Sequence, residues 1–359
     1  MCPDLKVHDV KMQDSVEEKY LGDQIHQSAK NVKTLSKRRA KGYGILSDII
    51  FLIESIPNGK RKIEVGLELR QSWFLNSTLL NMETWHNMKE NDLNELKKLD
   101  QYLLRKIIGA HSKVPVELLY LETSTTPLDF ILKSRRINYL HTILNRNDTE
   151  LTKKIYNAQK LDPVKGDWVT LVKEDLETIE IHLSEEEIVK TKKTHFKKLV
   201  RKYVKDAVFK KLKDMQKEHT KIKDIKYDSF KIQPYLVSDT LNPEQTALLF
   251  NLRANTVNGF KMCFTSIYRN DLKCKLGCQE NDTLAHCISC KVIDTKMHKS
   301  SNINFNAIFA TNEVQKNIVL KFTYRMNIRN SLIEQEVRAY QGSQILDNST
   351  PALAGGAGD

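Results

Sequence analysis

The fold class of this chain is decided by residues 193–212, which read KTHFKKLVRKYVKDAVFKKL. Apolar side chains recur there in steps of three and four, as one face of a helix requires. The apolar positions are Phe196, Leu199, Val200, Tyr203, Val204, Ala207, Val208 and Leu212. The cations that fall largely off this stripe are Lys193, Lys197, Lys198, Arg201, Lys202 and Lys205. The stretch therefore predicts a basic amphipathic helix with one face for packing and another for anions.

The start of this helix has its own signal in the sequence. Ser184 is followed three residues later by Glu187, which is the pattern of a capping box. Glu185 and Glu186 would then lie in the first turn, where the helix dipole favours negative charge. The position at a helix start explains these acids better than a catalytic role does. We expect one long helix from Ser184 through the basic stretch.

Positive charge is concentrated in the same region. The 359-residue chain has a formal net charge of +12, and residues 190–231 hold 16 Lys and Arg against five Asp and Glu, a local excess of 11. A local excess of this kind favours a polyanionic partner, nucleic acid above all. The alternative is a solvated helix face, which is the usual role of a charge run.

Helical patterns also cover most of the remaining chain. The expected helices are residues 28–56 with an interruption at Gly42 and Gly44, residues 62–81, residues from the cap Asn91 to the terminating Gly109, a helix opening at Pro127, residues 168–178, a helix opening at Pro243, and residues 313–340. We expect Trp73, Phe74 and Leu80 in the core, and His141 as a partly buried helix histidine. Residues 221–240 have mixed extended character, so the fold class is mainly α.

A second informative stretch is CKLGCQENDTLAHCISC, residues 274–290. Its spacing of three cysteines and one histidine can close a tetrahedral zinc shell. The expected ligands are Cys274, Cys278, His286 and Cys290. Gly277 suits the turn between the first two ligands because glycine adopts positive φ at little cost. The alternatives are Cys287 as the fourth ligand, or a cluster of buried free thiols.

Other site classes find no support in the sequence. The chain contains no G-x-x-x-x-G-K-[ST], G-x-S-x-G or H-E-x-x-H motif, which argues against a P-loop, a serine-hydrolase elbow and a zincin site. Six cysteines, four of them within 17 residues, do not resemble a secreted disulfide framework. There is no apolar N-terminal signal region and no membrane-length apolar run, so we expect no membrane association and a location in the nucleus, the cytoplasm or both.

Several short segments, in this order, resemble a known family. They are KYLGD at residues 19–23, AKG at 40–42, LLRKIIG at 103–109, P-x-E-x-L-Y-L-E-T at 115–123, RR-x-x-YL at 135–140, KGDWV at 165–169 and LLFNLRA at 248–254, followed by the Cys/His cluster. Together they resemble the part that follows the palm in reverse transcriptases of non-LTR, LINE-type retrotransposons. The cluster resembles the C-terminal zinc knuckle of those polyproteins. The likeness covers most of the chain.

The resemblance implies a division of the chain into five parts. These are a last palm-like strand segment at residues 1–26, a helical thumb-like bundle at 27–182, a basic amphipathic helix and linker at 183–240, a zinc-knuckle domain at 241–341 and a disordered tail at 342–359. Cations near the knuckle, Arg253, Lys261 and Arg269, are expected nucleic-acid contacts. Phe264 and Tyr268 add the stacking groups that single strands use, although ordinary packing explains them equally well.

The resemblance also implies which activity is missing. Family polymerases hold Mg²⁺ at palm aspartates, one of them in an aspartate pair, and this sequence has no two adjacent aspartates. We therefore expect a non-enzymatic fragment that holds template RNA, DNA or an RNA–DNA hybrid, with structural zinc and with the remainder of the retroelement polyprotein as a further partner. The alternatives are polymerase activity once another chain supplies fingers and palm, a helical scaffold for an acidic protein, and a degenerate remnant without a selected role.

Overall fold

The computed structural model describes the chain over the following residues. They are 32–85, 90–254 except 221 and 224, 256, 273–280 except 275, 284–297, 319, 321–332, 334–335 and 338, together with short strands at 6–7, 10–11, 17–20 and 23–26. The architecture is mainly helical, as the sequence predicts. None of the described helices has the length and apolarity that a bilayer crossing requires.

The described part of the chain is built from a series of helices. They are α1 Val32–Glu54, α2 Gly59–Leu69, α3 Leu75–Thr78, α4 Glu90–Ile108, α5 Val116–Thr123, α6 Leu128–Leu144, α7 Leu151–Leu161, α8 Trp168–Thr178, α9 Glu185–Lys190, α10 Lys193–Glu218, α11 Pro243–Arg253, α12 Leu284–Ser289 and α13 Lys291–Met297. A further helix, α14, includes residues 319, 321–332, 334–335 and 338. Single 3₁₀ turns occur at Met82–Thr84 and Pro234–Val237.

Two antiparallel strand pairs precede the helices. β1 (Lys6–Val7) pairs with β2 (Val10–Lys11), and β3 (Glu17–Tyr20) pairs with β4 (Asp23–His26). The segment KYLGD thus spans the end of β3 and the first residue of β4, where Tyr20 pairs with Asp23. Strand structure is therefore present at both ends of this segment.

The short helix α5 lies at the centre of the core. Every residue from Glu117 to Thr123 is buried, because α4 and α10 both pack against it. α6 packs against α4, α8, α9 and α10, so it connects the central layer to the later helices. α10 packs against α5 and α6 with its predicted apolar stripe. The buried residues of this stripe are Phe196, Val200, Val204, Val208 and Leu212.

The predicted single helix from Ser184 is in fact two helices. The capping box between Ser184 and Glu187 is present, but α9 ends at Lys190, and Thr191 has an extended backbone before α10 begins. His141 of α6 is buried and its Nε2 lies 2.8 Å from the Thr191 carbonyl oxygen, while its ring stacks on Phe196 at 5.0 Å. This contact gives the carbonyl of the break a partner outside the helix, which local sequence cannot reveal.

A π-helical turn at Arg70–Phe74 joins α2 to α3 and changes the predicted core. Phe74 is fully buried, as expected, but Trp73 and Leu80 are 36% and 42% exposed. The extra residue in a π turn rotates the following side chains away from the 3.6-residue register. Extrapolating that register from the sequence therefore assigned Trp73 to the core wrongly, and Leu80 lies beyond the end of α3 at Thr78.

Other predicted boundaries have mixed outcomes. α1 continues through Gly42 and Gly44 without the expected interruption. α4 begins at Glu90, so Asn91 lies inside the helix rather than capping it. Gly109 has φ +76° directly after α4, which confirms it as the terminating glycine. The described part of α14 lies within the predicted 313–340 helix, and the tail at 342–359 lies outside the described residues.

Buried ion pairs connect helices that are distant in sequence. Arg70 donates two hydrogen bonds to Asp100 of α4, at 2.6 and 2.8 Å, and both side chains are at most 3% exposed. Arg136 of α6 pairs in the same two-pronged manner with Asp175 of α8, at 2.6 and 3.0 Å. Removing one member of such a pair leaves a desolvated charge without a partner, so each pair fixes how its two helices pack.

We expect Asp100→Asn to destabilise the folded chain by about 3–5 kcal/mol, because the buried Arg70 guanidinium loses its counterion. Chemical denaturation followed by circular dichroism measures the change. The control is Glu95→Gln, which removes a carboxylate from an exposed pair with Lys98. Equal denaturation midpoints for the two variants would contradict the assignment of Arg70–Asp100 as a packing determinant.

Candidate metal centre and basic groove

Three cysteines and one histidine converge near α12. The ligand atoms of Cys274, Cys278, His286 and Cys290 all lie within 4.8 Å of one another. The Cys278 Sγ lies 2.9 Å from His286 Nε2 and 3.8 Å from Cys290 Sγ. The group predicted from spacing is therefore assembled by the fold and could hold a metal ion.

The donor set suits a tetrahedral ion, and so does the separation of two of its sulfurs. Two sulfurs bound at about 2.3 Å in tetrahedral geometry lie about 3.8 Å apart, which is the separation of the Cys278 and Cys290 sulfurs. A disulfide needs sulfurs about 2.05 Å apart, and all four described cysteines are free. Burial raises the pKa of the Cys274 thiol, so a cation is needed to favour its thiolate form.

The loop between Cys274 and Cys278 is shaped by backbone contacts. Gly277 has φ +81° and its N–H donates to the Cys274 carbonyl at 3.1 Å. The Cys274 N–H in turn donates to the Glu280 carbonyl at 2.6 Å. These bonds turn the chain back on itself and bring both sulfurs to one side. The positive φ predicted for Gly277 is confirmed.

A carboxylate orients the histidine. His286 Nδ1 lies 3.0 Å from Glu280 Oε2, and the His286 side chain is only 5% exposed. An Nδ1–H that donates to this carboxylate leaves the Nε2 lone pair facing the sulfurs. Metal-binding histidines commonly have such a partner, which fixes the ring and raises its basicity.

Cys287 is not part of the cluster. It is buried, and its Sγ faces Met326 Sδ of α14 at 3.6 Å. Its carbonyl accepts a hydrogen bond from Arg325 Nε at 3.1 Å, and Arg325 also reaches the Cys290 carbonyl at 3.3 Å and the Asp294 carboxylate. Arg325 is fully buried and so attaches α14 to the helices that carry the ligands. The fold therefore brings Cys290, and not Cys287, together with Cys274, Cys278 and His286.

The basic side of α10 is open to solvent. Its six predicted cations are all exposed: Lys193, Lys197, Lys198, Arg201, Lys202 and Lys205. Within the part of the chain that the structure describes, no carboxylate lies within 4 Å of any of them, whereas Lys210 and Lys217 of the same helix pair with Glu180 and Asp214. The first half of α10 therefore presents cations whose charge is not neutralised locally.

Four of these cations line a polar groove of about 860 Å³ between α6 and α10, which we call the α6–α10 groove. Its α10 wall carries Lys193, Lys197, Arg201 and Lys205. Its α6 wall carries Ser134, Arg135, Asn138, Tyr139 and Thr142. Lys198 and Lys202 do not line the groove, and instead border a shallower depression of about 310 Å³ that shares Arg201 and Lys205.

Arg253 is not available as a nucleic-acid contact. It is 5% exposed, and its Nε and Nη2 donate to Glu122 Oε1 at 3.1 and 2.9 Å. Its guanidinium also lies over the ring of Tyr235, 5.3 Å from the centroid, and Tyr227 bonds to the same carboxylate. The prediction for Arg253 is wrong because the side chain is a buried counterion that joins α11 to α5. Lys261, Phe264, Tyr268 and Arg269 lie outside the described residues.

The sequence did not reveal four contributors to these sites. Glu280 lies in the sequence between the predicted ligands Cys278 and His286. That position was the one signal that it could orient the histidine. Arg325 carried no signal, because a single arginine in an amphipathic helix is normally exposed. Arg135 and Asn138 on the α6 wall could not be paired with α10 without the tertiary structure.

Comparisons with known proteins add no relative. The chain matches no protein-family model, no curated protein and no solved structure.

We expect Cys290→Ser to lose bound metal, because it removes one of four ligands, whereas Cys287→Ser should retain it. Metal content per chain, measured by plasma mass spectrometry after gel filtration, separates the two. The pair is matched, since both cysteines are buried in the same region. Loss of metal from Cys287→Ser with retention in Cys290→Ser would reverse the ligand assignment.

Proposed function

We propose that this chain binds nucleic acid, RNA or an RNA–DNA hybrid, through the exposed cations of α10. The observation that carries the proposal is the set of six exposed cations with no carboxylate within 4 Å among the described residues, held on the first half of a helix whose other face is buried. Lysine and arginine arrays of this kind gain affinity by releasing the counterions of a phosphate backbone. Backbone contacts position a strand and need no reactive group.

We propose zinc as the ion of the Cys₃His cluster, in a structural role. Three thiolates and one imidazole suit zinc, and four protein ligands leave no open position for substrate or water. The ion would hold the loop at residues 274–280 to α12, and its binding would contribute folding energy to a small module. Zinc chemistry supports this choice, since softer thiolate sites select zinc over magnesium or calcium.

A helical scaffold that meets an acidic protein is the second candidate. The same exposed cations support it, but their regular spacing along one helix suits a repeating phosphate chain better than a single acidic patch. Competition between an RNA oligonucleotide and a poly-glutamate peptide of equal charge distinguishes the two.

The likeness to the post-palm part of a LINE-type reverse transcriptase remains a proposal, and so does the division into thumb-like bundle and zinc knuckle. It is supported by the order of the short segments and by a mainly helical fold that contains a Cys₃His cluster. The sequence has no adjacent aspartates, so we propose that the chain alone is not a polymerase and that Mg²⁺ chemistry belongs to an intact polymerase.

The proposal predicts a steep fall in affinity with salt. The triple variant Lys197→Gln, Arg201→Gln, Lys205→Gln should reduce the slope of log K against log salt by about 2 on a single-stranded RNA oligonucleotide, because each lost phosphate contact on a single strand removes about 0.7. Filter binding between 50 and 300 mM potassium chloride gives the slope.

The matched control for this series is Lys60→Gln, Lys98→Gln, Lys160→Gln. It removes the same charge, but each of these lysines already pairs with a carboxylate. The control should change the slope little. An affinity of the natural chain that does not depend on salt would contradict the proposal.

A primer-extension assay tests the proposal that the chain alone is not a polymerase. We expect no nucleotide incorporation by the purified chain with Mg²⁺ on an RNA template and DNA primer, since no aspartate pair is present to hold two metal ions. A full-length retroelement polymerase serves as the positive control. Template-dependent extension by this chain alone would overturn the proposal.

A further inference from the structure

We infer that the α6–α10 groove is a binding site for a single polynucleotide strand, while the outer side of α10 is left for duplex. This inference rests on the proposed function and refines it. It follows from the shape of the groove, from the spacing of its cations and from its unpaired acceptor atoms.

The size of the groove selects a single strand. A volume of about 860 Å³ lies in the range that encloses drug-sized ligands, roughly 300–1,000 Å³. A few nucleotides of one strand fit such a space. A duplex carries two strands over the same length and fits this volume less well, so we place it over the rim or over the outer cations.

The cations of the groove form a regular row. Lys193, Lys197, Arg201 and Lys205 are spaced four residues apart, so neighbouring side chains are separated by about 6 Å along the helix and the row extends about 18 Å. A stacked strand advances about 3.4 Å per nucleotide, so the row matches about five nucleotides. A small anion such as phosphate would use only one or two of these cations.

The opposite wall offers groups that a bare phosphate cannot satisfy. Asn138 Nδ2 donates to the Ser134 carbonyl at 2.7 Å, which fixes the amide so that Oδ1 is the free acceptor. This Oδ1 and Glu83 Oε2, which also borders the groove, are buried and accept no hydrogen bond in the described part of the chain. Base amino groups and the RNA 2′-hydroxyl can donate to such acceptors, whereas a phosphate diester cannot.

The charge balance of the groove agrees with a polyanionic strand. Among the described residues that line the groove, five are cations without an ion pair, namely Arg135 and the four α10 cations, and one is a carboxylate without an ion pair, Glu83. Arg70 also lines the groove, but its charge is neutralised by Asp100. Arg135 itself is held in place by the Leu79 carbonyl and by Asn76 Oδ1, at 3.0 and 2.7 Å. The groove is thus positive along one wall and rich in hydrogen-bonding groups along the other.

Two matched pairs of substitutions test the inference. Lys193→Gln with Lys197→Gln removes two groove cations, and Lys198→Gln with Lys202→Gln removes two outer cations of the same helix. Fluorescence anisotropy measures binding to a labelled oligo(U), an oligo(dT) and an RNA–DNA hybrid of equal length, over a salt series. The groove pair should reduce the single-strand slope by about 1.4, and the outer pair should reduce it less.

The preference between strands is the deciding readout. The groove pair should lower the ratio of single-strand to hybrid affinity, and the outer pair should not. A third variant, Thr142→Glu, places a negative charge on the α6 wall and should weaken single-strand binding more than hybrid binding. Circular dichroism confirms that each variant is folded. Single-strand affinity should also rise with length up to about five nucleotides and then level off.

The outcomes distinguish failure of the proposed nucleic-acid binding from failure of the groove as its site. If the natural chain binds neither single strands nor the hybrid at low salt, the proposed function fails. If both pairs weaken both ligands equally and Thr142→Glu has no effect, nucleic-acid binding stands but the groove is not its site. If poly-glutamate displaces oligo(U) at equal charge, the groove accepts acidic polypeptide and the inference is overturned. Oligo(U) binding well above oligo(dT) binding would identify RNA as the strand.

Discussion

Burial of one face of α10 is the constraint on which the rest of the structure depends. Five apolar side chains four residues apart pack against α5 and α6, which fixes the rotation of the helix about its axis. With that rotation fixed, the lysines and arginines between them have only the solvent side and the edge beside α6 available. The basic surface is therefore a consequence of core packing. It cannot be turned inward without exposing Phe196, Val200 and Val204.

The chain uses the same residue types for two opposite purposes, and burial decides between them. Arg70, Arg136 and Arg253 are almost fully enclosed, and each has a carboxylate on another helix as its partner. Such pairs are costly to desolvate and contribute mainly to the choice of packing partner, since any other arrangement would leave a charge unpaired. In the part of the chain that the structure describes, the six cations in the first half of α10 have no carboxylate within 4 Å, so their interaction energy is available for an external anion.

The local elements of the fold were predictable and the contacts between distant residues were not. The α10 stripe, the Ser184 capping box, the Gly109 terminus and the Cys₃His ligands all depend on residues close together in sequence, where periodicity and capping rules apply directly. The break after Lys190 depends on His141, nearly 50 residues away. The burial of Arg253 depends on Glu122, and the groove exists only once α6 lies beside α10. The π turn at Arg70–Phe74 is intermediate, because it is local but has no distinctive sequence signal.

The metal centre follows the same logic on a smaller scale. Cys274 and Cys278 come from one loop, His286 lies in the six-residue helix α12 and Cys290 directly follows it, and so short a helix could not hold its ligands in place by itself. Two external contacts supply the missing rigidity: Glu280 fixes the imidazole, and Arg325 binds the backbone carbonyls of Cys287 and Cys290 from α14. The buried guanidinium also has Asp294 as its counterion, so its charge is balanced outside the ligand set. A bound cation would therefore favour the thiolate form of the cysteines, while ordinary hydrogen bonds position the surrounding backbone.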